Sequence, residues 1–335
     1  MMTSQIPGTA LFRSWMVVLA LIAVIFALHG RIVWAAPIRV ISGALSASNT
    51  PLWVAQEKEL FKKYGLETEL AHIPTTQAIQ SLLSGTTQFT TGSSEIVSSG
   101  LAGGDGVFIA GFSNRFVFSI YGKKGMTSAV DLKSKTIAAT SPEGATAVAA
   151  RMALRKEGLD PDKDVKFAYI RELPALLGAL REGVVDAAVM SPPTSLQAQE
   201  LGLNLIIDIT ALKIPFVHTG LAAQKSYAKG NPDVMRNFLR ALIEAMKICR
   251  EQPAQTYAVI AKYTKLANPK MVEEAYRGFQ PTWEPIPYVS REAVQTILDV
   301  AKGPKARAAK AEQFLDNNFL KEIESSGFVN ALYKK

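Results

Sequence analysis

From residue 37 onward, short apolar runs alternate with longer amphipathic stretches. Short apolar or period-two runs predict strands, and apolar positions three and four apart predict helices. Strand–helix alternation with connections of ten or more residues indicates parallel sheets covered by helices. Strands are predicted at 38–41, 66–73, 88–92, 107–112, 116–122, 135–140, 165–170, 184–190, 203–209 and 217–227, and helices at 51–63, 75–85, 143–156, 173–183 and 193–202.

The pattern forms two successive cycles and then changes. Each cycle has roughly 90 to 100 residues, which suits an α/β lobe of ordinary size. Beyond Asn231 the chain is almost wholly helical, with Asn231 as the expected N-cap and Pro232 in the first turn. Apolar positions then recur at near-heptad spacing, at Val234, Phe238, Leu242 and Met246. We expect these C-terminal helices to cover the first lobe.

One strand-to-helix junction contains small polar residues and a glycine, in the sequence "SPEGAT" at 141–146. One interpretation is a capped helix start, with Ser141 as N-cap and Pro142 at the first helical position. The other is a ligand site, because the first N–H groups of a helix have no intrahelical partners. In open α/β sheets, ligands bind at such junctions.

The first 35 residues have the pattern of a signal peptide. Arg13 precedes a 14-residue apolar run from Trp15 to Leu28, and Val33-Trp34-Ala35 offers a cleavage site before Ala36. The run is short for a membrane span, which needs about 20 residues. We therefore expect export to the periplasm, with a retained N-terminal anchor as the alternative.

Charge and cysteine content exclude several classes of site. The net charge is +8, and removing Arg13 and Arg31 with the signal gives 8 − 2 = +6, without any basic run interleaved with aromatic residues. Nucleic-acid binding is therefore not expected. Cys249 is the only cysteine and lies in an apolar helical pattern, which predicts a buried thiol. Without metal-ligand or phosphate-loop spacings, we expect no metal, cofactor or catalytic residue.

Three segments together resemble a known family. "PLWVAQEKELFKKYGLETEL", "GTTQFTTGSSE" and "LREGVVDAAVMSPP" are similar, in order and spacing, to landmarks of ABC-importer solute-binding proteins. The branch is the one serving alkanesulfonates, taurine, nitrate and thiamine-precursor pyrimidines. The resemblance runs clearly from about Ile38 to Thr210 and loosely through the helices behind it.

The resemblance implies the two-lobe periplasmic-binding-protein fold (type II), an α/β fold with parallel-rich sheets flanked by helices. The helical C-terminal region would pack on the first lobe. The implied boundaries are a signal peptide at 1–35, lobe one at 36–122, lobe two at 123–215, and completion of lobe one with the C-terminal helices at 216–335. The hinge crossings would fall near 121–125 and 212–220, with Gly122 and Gly125 absorbing the change in φ and ψ.

In such a fold the solute lies where strands of both lobes lead into helices. Hydroxyl groups and free amide N–H groups there would give polar contacts without a buried charge. The predicted ligand-binding residues are Ser46, Ser48, Asn49, Thr50, Trp53, Gly92, Ser93, Ser94, Phe112, Asn114, Ser141, Gly144, Ala145, Thr146, Ser191 and Pro192.

Several of these residues also have structural interpretations. Ser93 and Ser94 are typical N-caps, and Trp53 and Phe112 are equally compatible with the core. Glu143 would repel an oxyanion at the helix start, and Arg115 is the only arginine at these junctions. A neutral or aromatic organic solute is therefore preferred to a compact oxyanion such as nitrate.

The sequence predicts a monomeric periplasmic protein that binds a small organic solute, closes two lobes around it and delivers it to an ABC permease in the inner membrane. One alternative is an enzyme resembling the eukaryotic thiamine-pyrimidine synthases, which use an active-site histidine and a cysteine-rich iron site. The absence of a cysteine cluster argues against it. Another alternative is a periplasmic sensory module that presents the closed lobes to a receptor.

Overall fold

The computed structural model describes residues 36–334, and the predicted signal peptide lies outside them. The described chain forms two five-stranded sheets. The strands are β1 (Ile38–Ser42), β2 (Thr68–His72), β3 (Phe89–Gly92), β4 (Gly106–Arg115), β5 (Ser119–Gly122), β6 (Thr136–Ala139), β7 (Lys166–Tyr169), β8 (Ala187–Met190), β9 (Asn204–Asp208) and β10 (Pro215–Gln224).

The helices flank these sheets and dominate the last third of the chain. They are α1 (Thr50–Glu57), α2 (Leu60–Lys63), α3 (Thr75–Leu83), α4 (Ser94–Leu101), α5 (Ala145–Lys156), α6 (Leu173–Arg181), α7 (Thr194–Glu200), α8 (Lys225–Gly230), α9 (Pro232–Glu251), α10 (Pro253–Thr264), α11 (Pro269–Phe279), α12 (Arg291–Val300), α13 (Pro304–Ala308), α14 (Asn318–Ser325) and α15 (Phe328–Tyr333).

The two sheets have matching designs. The first has the order β2-β1-β3-β10-β4, and the second β7-β6-β8-β5-β9. Four strands of each sheet run in the same direction, and the strand that enters from the other sheet, β10 or β5, is antiparallel to both of its neighbours. We call the part built on the first sheet the first lobe and the part from β5 to β9 the second lobe.

The chain crosses between the lobes earlier than the sequence predicts. Strand β5 pairs with β8 and β9, so it belongs to the second sheet and not to the first. The predicted boundary at residue 122 is therefore wrong by a few residues. The residues of β5 are largely apolar, and their sequence does not indicate which of the two sheets the strand joins. The two segments that cross between the lobes are residues 116–118 and 209–214. They lie side by side, because Arg115 at the end of β4 pairs with Pro215 at the start of β10.

These crossings are packed and hydrogen-bonded. The rings of Phe116 and Phe216 stack with centroids 4.2 Å apart, and the Thr210 N–H donates to the Phe118 carbonyl at 3.2 Å. Both phenylalanines belong to a buried apolar cluster that continues from the first lobe into the second. Neither predicted hinge glycine lies in a crossing. Gly122 pairs with Ala187 within β5, and Gly125 occupies a turn with φ of 93°.

Two predicted helices differ from the structure. The single helix predicted at 51–63 is divided into α1 and α2, because Glu59 adopts a left-handed conformation with φ of 51°. Helix α5 begins at Ala145 and not at Glu143, and Ser141 is not its N-cap. Contacts with the first lobe hold the preceding residues in a turn, since Ser94 Oγ donates to the Glu143 carbonyl at 2.5 Å.

The C-terminal helices pack on the first lobe, as predicted. Helix α9 contacts α1 and α2 through an apolar face that includes Phe238, whose ring stacks on those of Phe61 and Phe89 at 4.5 and 3.9 Å. Cys249 on the same helix is buried, as expected. Among residues 36–334, no helix has both the length and the apolar character needed to cross a membrane.

Candidate functional site

A cleft lies between the lobes, at the ends of strands from both sheets. Its empty volume is about 580 Å³, including the part that is open to solvent. In α/β sheets this is the edge where ligands bind, because loops and helix N-termini converge there. Its walls contain both polar and apolar surface.

The first lobe supplies one wall. Ser46, Ser48 and Asn49 follow β1, and Ser93 follows β3. Thr219 lies on β10 and donates its hydroxyl to Ser48 Oγ at 2.8 Å. These hydroxyl and amide groups are buried, and each has a hydrogen-bond partner within the lobe.

The second lobe supplies the opposite wall. Thr140 and Thr146 lie on either side of the turn after β6, and their hydroxyl oxygens are 2.8 Å apart. The Thr140 N–H also donates to Thr146 Oγ1 at 2.8 Å, which fixes the Thr146 side chain in the first turn of α5. Arg171 and Glu172 follow β7, and Ser191 follows β8.

Direct contacts join the two walls. The Ser46 and Ser191 hydroxyl oxygens are 3.0 Å apart, and the Ala47 N–H donates to the Pro192 carbonyl at 3.3 Å. At the mouth of the cleft, His72 Nε2 lies 3.3 Å from Glu172 Oε1. The structure therefore represents a closed arrangement of the lobes.

His218 is a neutral hydrogen-bond donor within the cleft. It is buried on β10, and its Nδ1 accepts the Val117 N–H at 3.1 Å. Burial lowers the pKa of His218 to about 3, so the ring stays uncharged at neutral pH. Because Nδ1 is the acceptor, the single ring proton must be on Nε2.

Glu95 is the acidic side chain of the first wall. It lies in the first turn of α4, and its Oε1 accepts the Ser141 hydroxyl from the second lobe at 3.4 Å. The residue as a whole is partly exposed, but Oε2 is buried and has no hydrogen-bond partner. Burial raises the pKa of Glu95 to about 7, and the nearby charge of Glu143 adds to that effect.

Comparison with known proteins identifies the family. The sequence profile of a family described as NMT1/THI5 like matches residues 46–256, which is more than half of the chain. The chain belongs to the NMT1/THI5-like family. A Brachyspira hyodysenteriae protein, whose name assigns it as an ABC transporter periplasmic binding protein, is 26% identical over 145 residues. That alignment spans 43% of this chain and 40% of the relative, so the curated relative is matched over about two-fifths of its length.

Solved structures share the fold of this NMT1/THI5-like chain. A protein from Bordetella bronchiseptica RB50 has a TM-score of 0.77 at 19% identity, covering 87% of this chain and 98% of its own. The periplasmic aliphatic sulphonate binding protein SsuA from Escherichia coli has a TM-score of 0.65 at 19% identity, covering 84% and 92%. The nitrate-binding protein NrtA from Synechocystis PCC 6803 has 0.70 at 13%, covering 88% and 89%. The fold is thus the two-lobe periplasmic-binding-protein fold.

The structure brings half of the predicted ligand-binding residues to the cleft. Their contact with a solute stays a prediction, since their position alone does not establish binding. These residues are Ser46, Ser48, Asn49, Gly92, Ser93, Ala145, Thr146 and Ser191.

The other predicted residues lie outside the lining. Trp53 and Phe112 are buried in the core, where Trp53 stacks on Tyr263 with centroids 4.9 Å apart. Thr50 donates to the Ala47 carbonyl at 2.6 Å, and Asn114 donates to the Tyr288 carbonyl at 2.8 Å. Four more make or adjoin contacts between the lobes, namely Ser94, Ser141, Gly144 and Pro192.

Several cleft residues of this NMT1/THI5-like chain were not predicted from sequence. His218 and Thr219 lie inside a strand and not at its end, so the junction rule does not find them. Glu95 directly follows Ser93 and Ser94, which were predicted in its place. Arg171 and Glu172 follow the edge strand β7, whose end was not among the predicted junctions. Within residues 36–334, no group of three or more His, Cys, Asp or Glu side chains has the arrangement of a metal site.

Proposed function

We propose that this protein is a solute-binding component of an ABC importer, which captures a small organic solute between its lobes without catalysis. The observation that carries the proposal is the cleft itself, closed by hydrogen bonds from one wall to the other. Membership of the NMT1/THI5-like family and the name of the Brachyspira relative support it.

Closure would follow from the geometry of the crossings. The two crossings are short and adjacent, so a rotation about them moves one lobe as a body against the other. A solute that contacts both walls binds the closed form more tightly than the open form, and therefore shifts the population towards closure. The few contacts that join the walls without solute leave closure reversible.

We further propose that the closed monomer docks on a permease of the inner membrane from the periplasmic side. Transport requires the solute-loaded form to be distinguished from the empty one, and lobe closure provides that difference. Stimulation of a permease's ATPase activity by the solute-loaded protein, and not by the empty protein, is the expected result.

Closure can be measured by energy transfer between two labels. Glu67 in the first lobe and Lys166 in the second lobe are exposed, and the native Cys249 is buried, so Glu67→Cys with Lys166→Cys gives a labelling pair. A thermal-shift screen of sulfonates, nitrate, pyrimidines, aromatic acids and amines supplies candidate solutes. A solute at 100 times its Kd is expected to stabilise the protein by about 2.7 kcal/mol.

A stabilising solute should also change the energy transfer between the labels in a saturable manner. Stabilisation without any change in transfer would contradict closure by lobe movement. Turnover of the stabilising compound would contradict a binding role without catalysis.

A further inference from the structure

We infer that the solute is an amino compound, whose N–H groups donate to Asn49 and Glu95, and that anions carrying only acceptor atoms are disfavoured. The inference rests on the proposed function and narrows its solute class. It is carried by two buried acceptor atoms that have no partner in the protein, Oδ1 of Asn49 and Oε2 of Glu95. Both residues line the cleft.

The orientation of the Asn49 amide is fixed by its surroundings. Nδ2 donates to the Ala44 carbonyl at 2.9 Å. The reversed amide would place two oxygen atoms against each other, so Oδ1 must be the free atom. Asn49 is 0% exposed, and Oδ1 is therefore a desolvated acceptor on a cleft residue.

Glu95 provides the second acceptor, with a negative charge when ionised. Ser141 is its side-chain hydrogen-bond partner, and it occupies Oε1 and leaves Oε2 unpaired. Among residues 36–334, no lysine, arginine or histidine forms an ion pair with Glu95. Arg171 of the second lobe also lines the cleft but makes no ion pair with Glu95, and the neighbouring charge that acts on the Glu95 carboxyl group is that of Glu143, which is also acidic. The protein thus leaves the countercharge of this carboxyl group to a ligand.

A buried polar group without a hydrogen-bond partner raises the free energy of the protein. A ligand that supplies the missing hydrogen bond removes this penalty and therefore binds more tightly. A primary ammonium group supplies several N–H donors and a positive charge. Nitrate and methanesulfonate supply only acceptors, and their charge is repelled by ionised Glu95. The His218 Nε2–H in the same cleft offers a donor for an acceptor elsewhere on the solute.

The test uses pairs of compounds that differ by an amino group: glycinamide against acetamide, and aminomethylpyridine against methylpyridine, with nitrate and methanesulfonate as acceptor-only probes. Binding to the full mature protein is followed by thermal shift and calorimetry. We expect at least one amine to bind about tenfold or more tightly than its partner, and the acceptor-only probes not to bind.

Glu95→Gln is the informative variant, because it keeps the size of the side chain and removes its charge. It should abolish the preference for the amine. Glu143→Gln is the matched control, since Glu143 is an exposed neighbouring acid outside the cleft lining, and it should keep the preference. Amine binding near pH 7 should also release protons from Glu95, seen in buffers of different ionisation enthalpy, and Glu95→Gln should not release them.

Equal binding of amine and partner, binding of nitrate or methanesulfonate, absence of binding by both amines, or an unchanged preference in Glu95→Gln would each overturn the inference. The labelled protein separates this failure from failure of the proposed function. If an acceptor-only probe changes the energy transfer between the labels, the binding role stands and the amine specificity falls.

Discussion

Replacing Glu172 with glutamine is expected to weaken closure of the cleft and to remove part of its pH dependence. His72 Nε2 lies 3.3 Å from Glu172 Oε1, and His72 Nδ1 lies 2.7 Å from the Ser42 carbonyl oxygen. Both ring nitrogens therefore face acceptors, which favours the doubly protonated ring. Burial lowers the pKa of His72, but the interactions with Glu172 and Ser42 outweigh it, so the pKa lies above its ordinary value of 6.5.

The free energy that the His72–Glu172 pair contributes to closure depends on how exposed the two side chains are. The side chains of His72 and Glu172 are 27% and 29% exposed, so solvent screens their attraction. Such a pair contributes about 0.5–1 kcal/mol, which is a change of about two- to fivefold in the ratio of closed to open protein. In the open form Glu172 moves away while the Ser42 contact, within the first lobe, remains.

The sign of the pH effect is determined by the raised pKa. The closed form binds the imidazole proton more tightly than the open form does, so the contribution to closure is fully present below the open-form pKa. It is lost as the pH rises through the higher pKa of the closed form. The contribution of the His72–Glu172 pair to closure is therefore larger on the acidic side of this window.

The assay is energy transfer between labels at positions 67 and 166, recorded between about pH 5.5 and 8.5, where histidine titrates. Glu172→Gln should flatten this part of the pH profile. Glu69→Gln is the control, because Glu69 lies on the same strand as His72 but pairs with Arg39 inside the first lobe, at 3.8 Å. Equal profiles in Glu172→Gln and the wild type would refute the role of the pair.

Three further substitutions separate the cleft from the core. Gly144→Val should weaken solute binding and closure, because its Cβ would lie 2.9 Å from Glu95 Oε1 between the lobes; unchanged titration would contradict this. Ser93→Ala removes a buried hydrogen bond to the Val217 carbonyl and should cost about 1–2 kcal/mol by denaturant unfolding, with weaker solute binding. Trp53→Ala should cost about 3–5 kcal/mol and leave solute preference intact, whereas a changed preference would return Trp53 to the cleft.

Hydrophobic periodicity was sufficient to predict most of the fold. Most strands of the two sheets and most helices between them follow from the sequence pattern, because each buries one face or one apolar run. The strand predicted at 217–227 is too long, since β10 ends at Gln224 and α8 begins at Lys225. Strand β5 was assigned to the wrong sheet for the same reason: its apolar residues fit the interior of either sheet. Only long-range pairing with β8 and β9 decides between them, and that pairing leaves no local pattern.

The candidate site was predictable only in part. The rule that ligands bind after parallel strands led to Ser46, Asn49 and Thr146, which line the cleft. The rule does not find His218, because this residue lies in the middle of the antiparallel strand β10 and not after a parallel strand. It also does not show that Trp53 faces the core. The burial of Trp53 depends on the packing of the C-terminal helices on the first lobe, and the place of His218 in the cleft depends on how the second lobe lies against the first. Both are set by contacts distant in sequence.

The buried polar atoms without hydrogen-bond partners connect these observations. Among residues 36–334 they belong to Asn49, His72, Glu95, Trp283 and Tyr333. Two of the five, Asn49 and Glu95, line the cleft, and the Nε2 atom of a third, His72, lies within ion-pair distance of Glu172 Oε1. In a chain that otherwise satisfies its buried polar groups, such exceptions are expected where a ligand or a movement completes the bonding. The two unpaired acceptors of the cleft, Asn49 Oδ1 and Glu95 Oε2, are thus the groups whose bonding the proposed donor-bearing solute would complete.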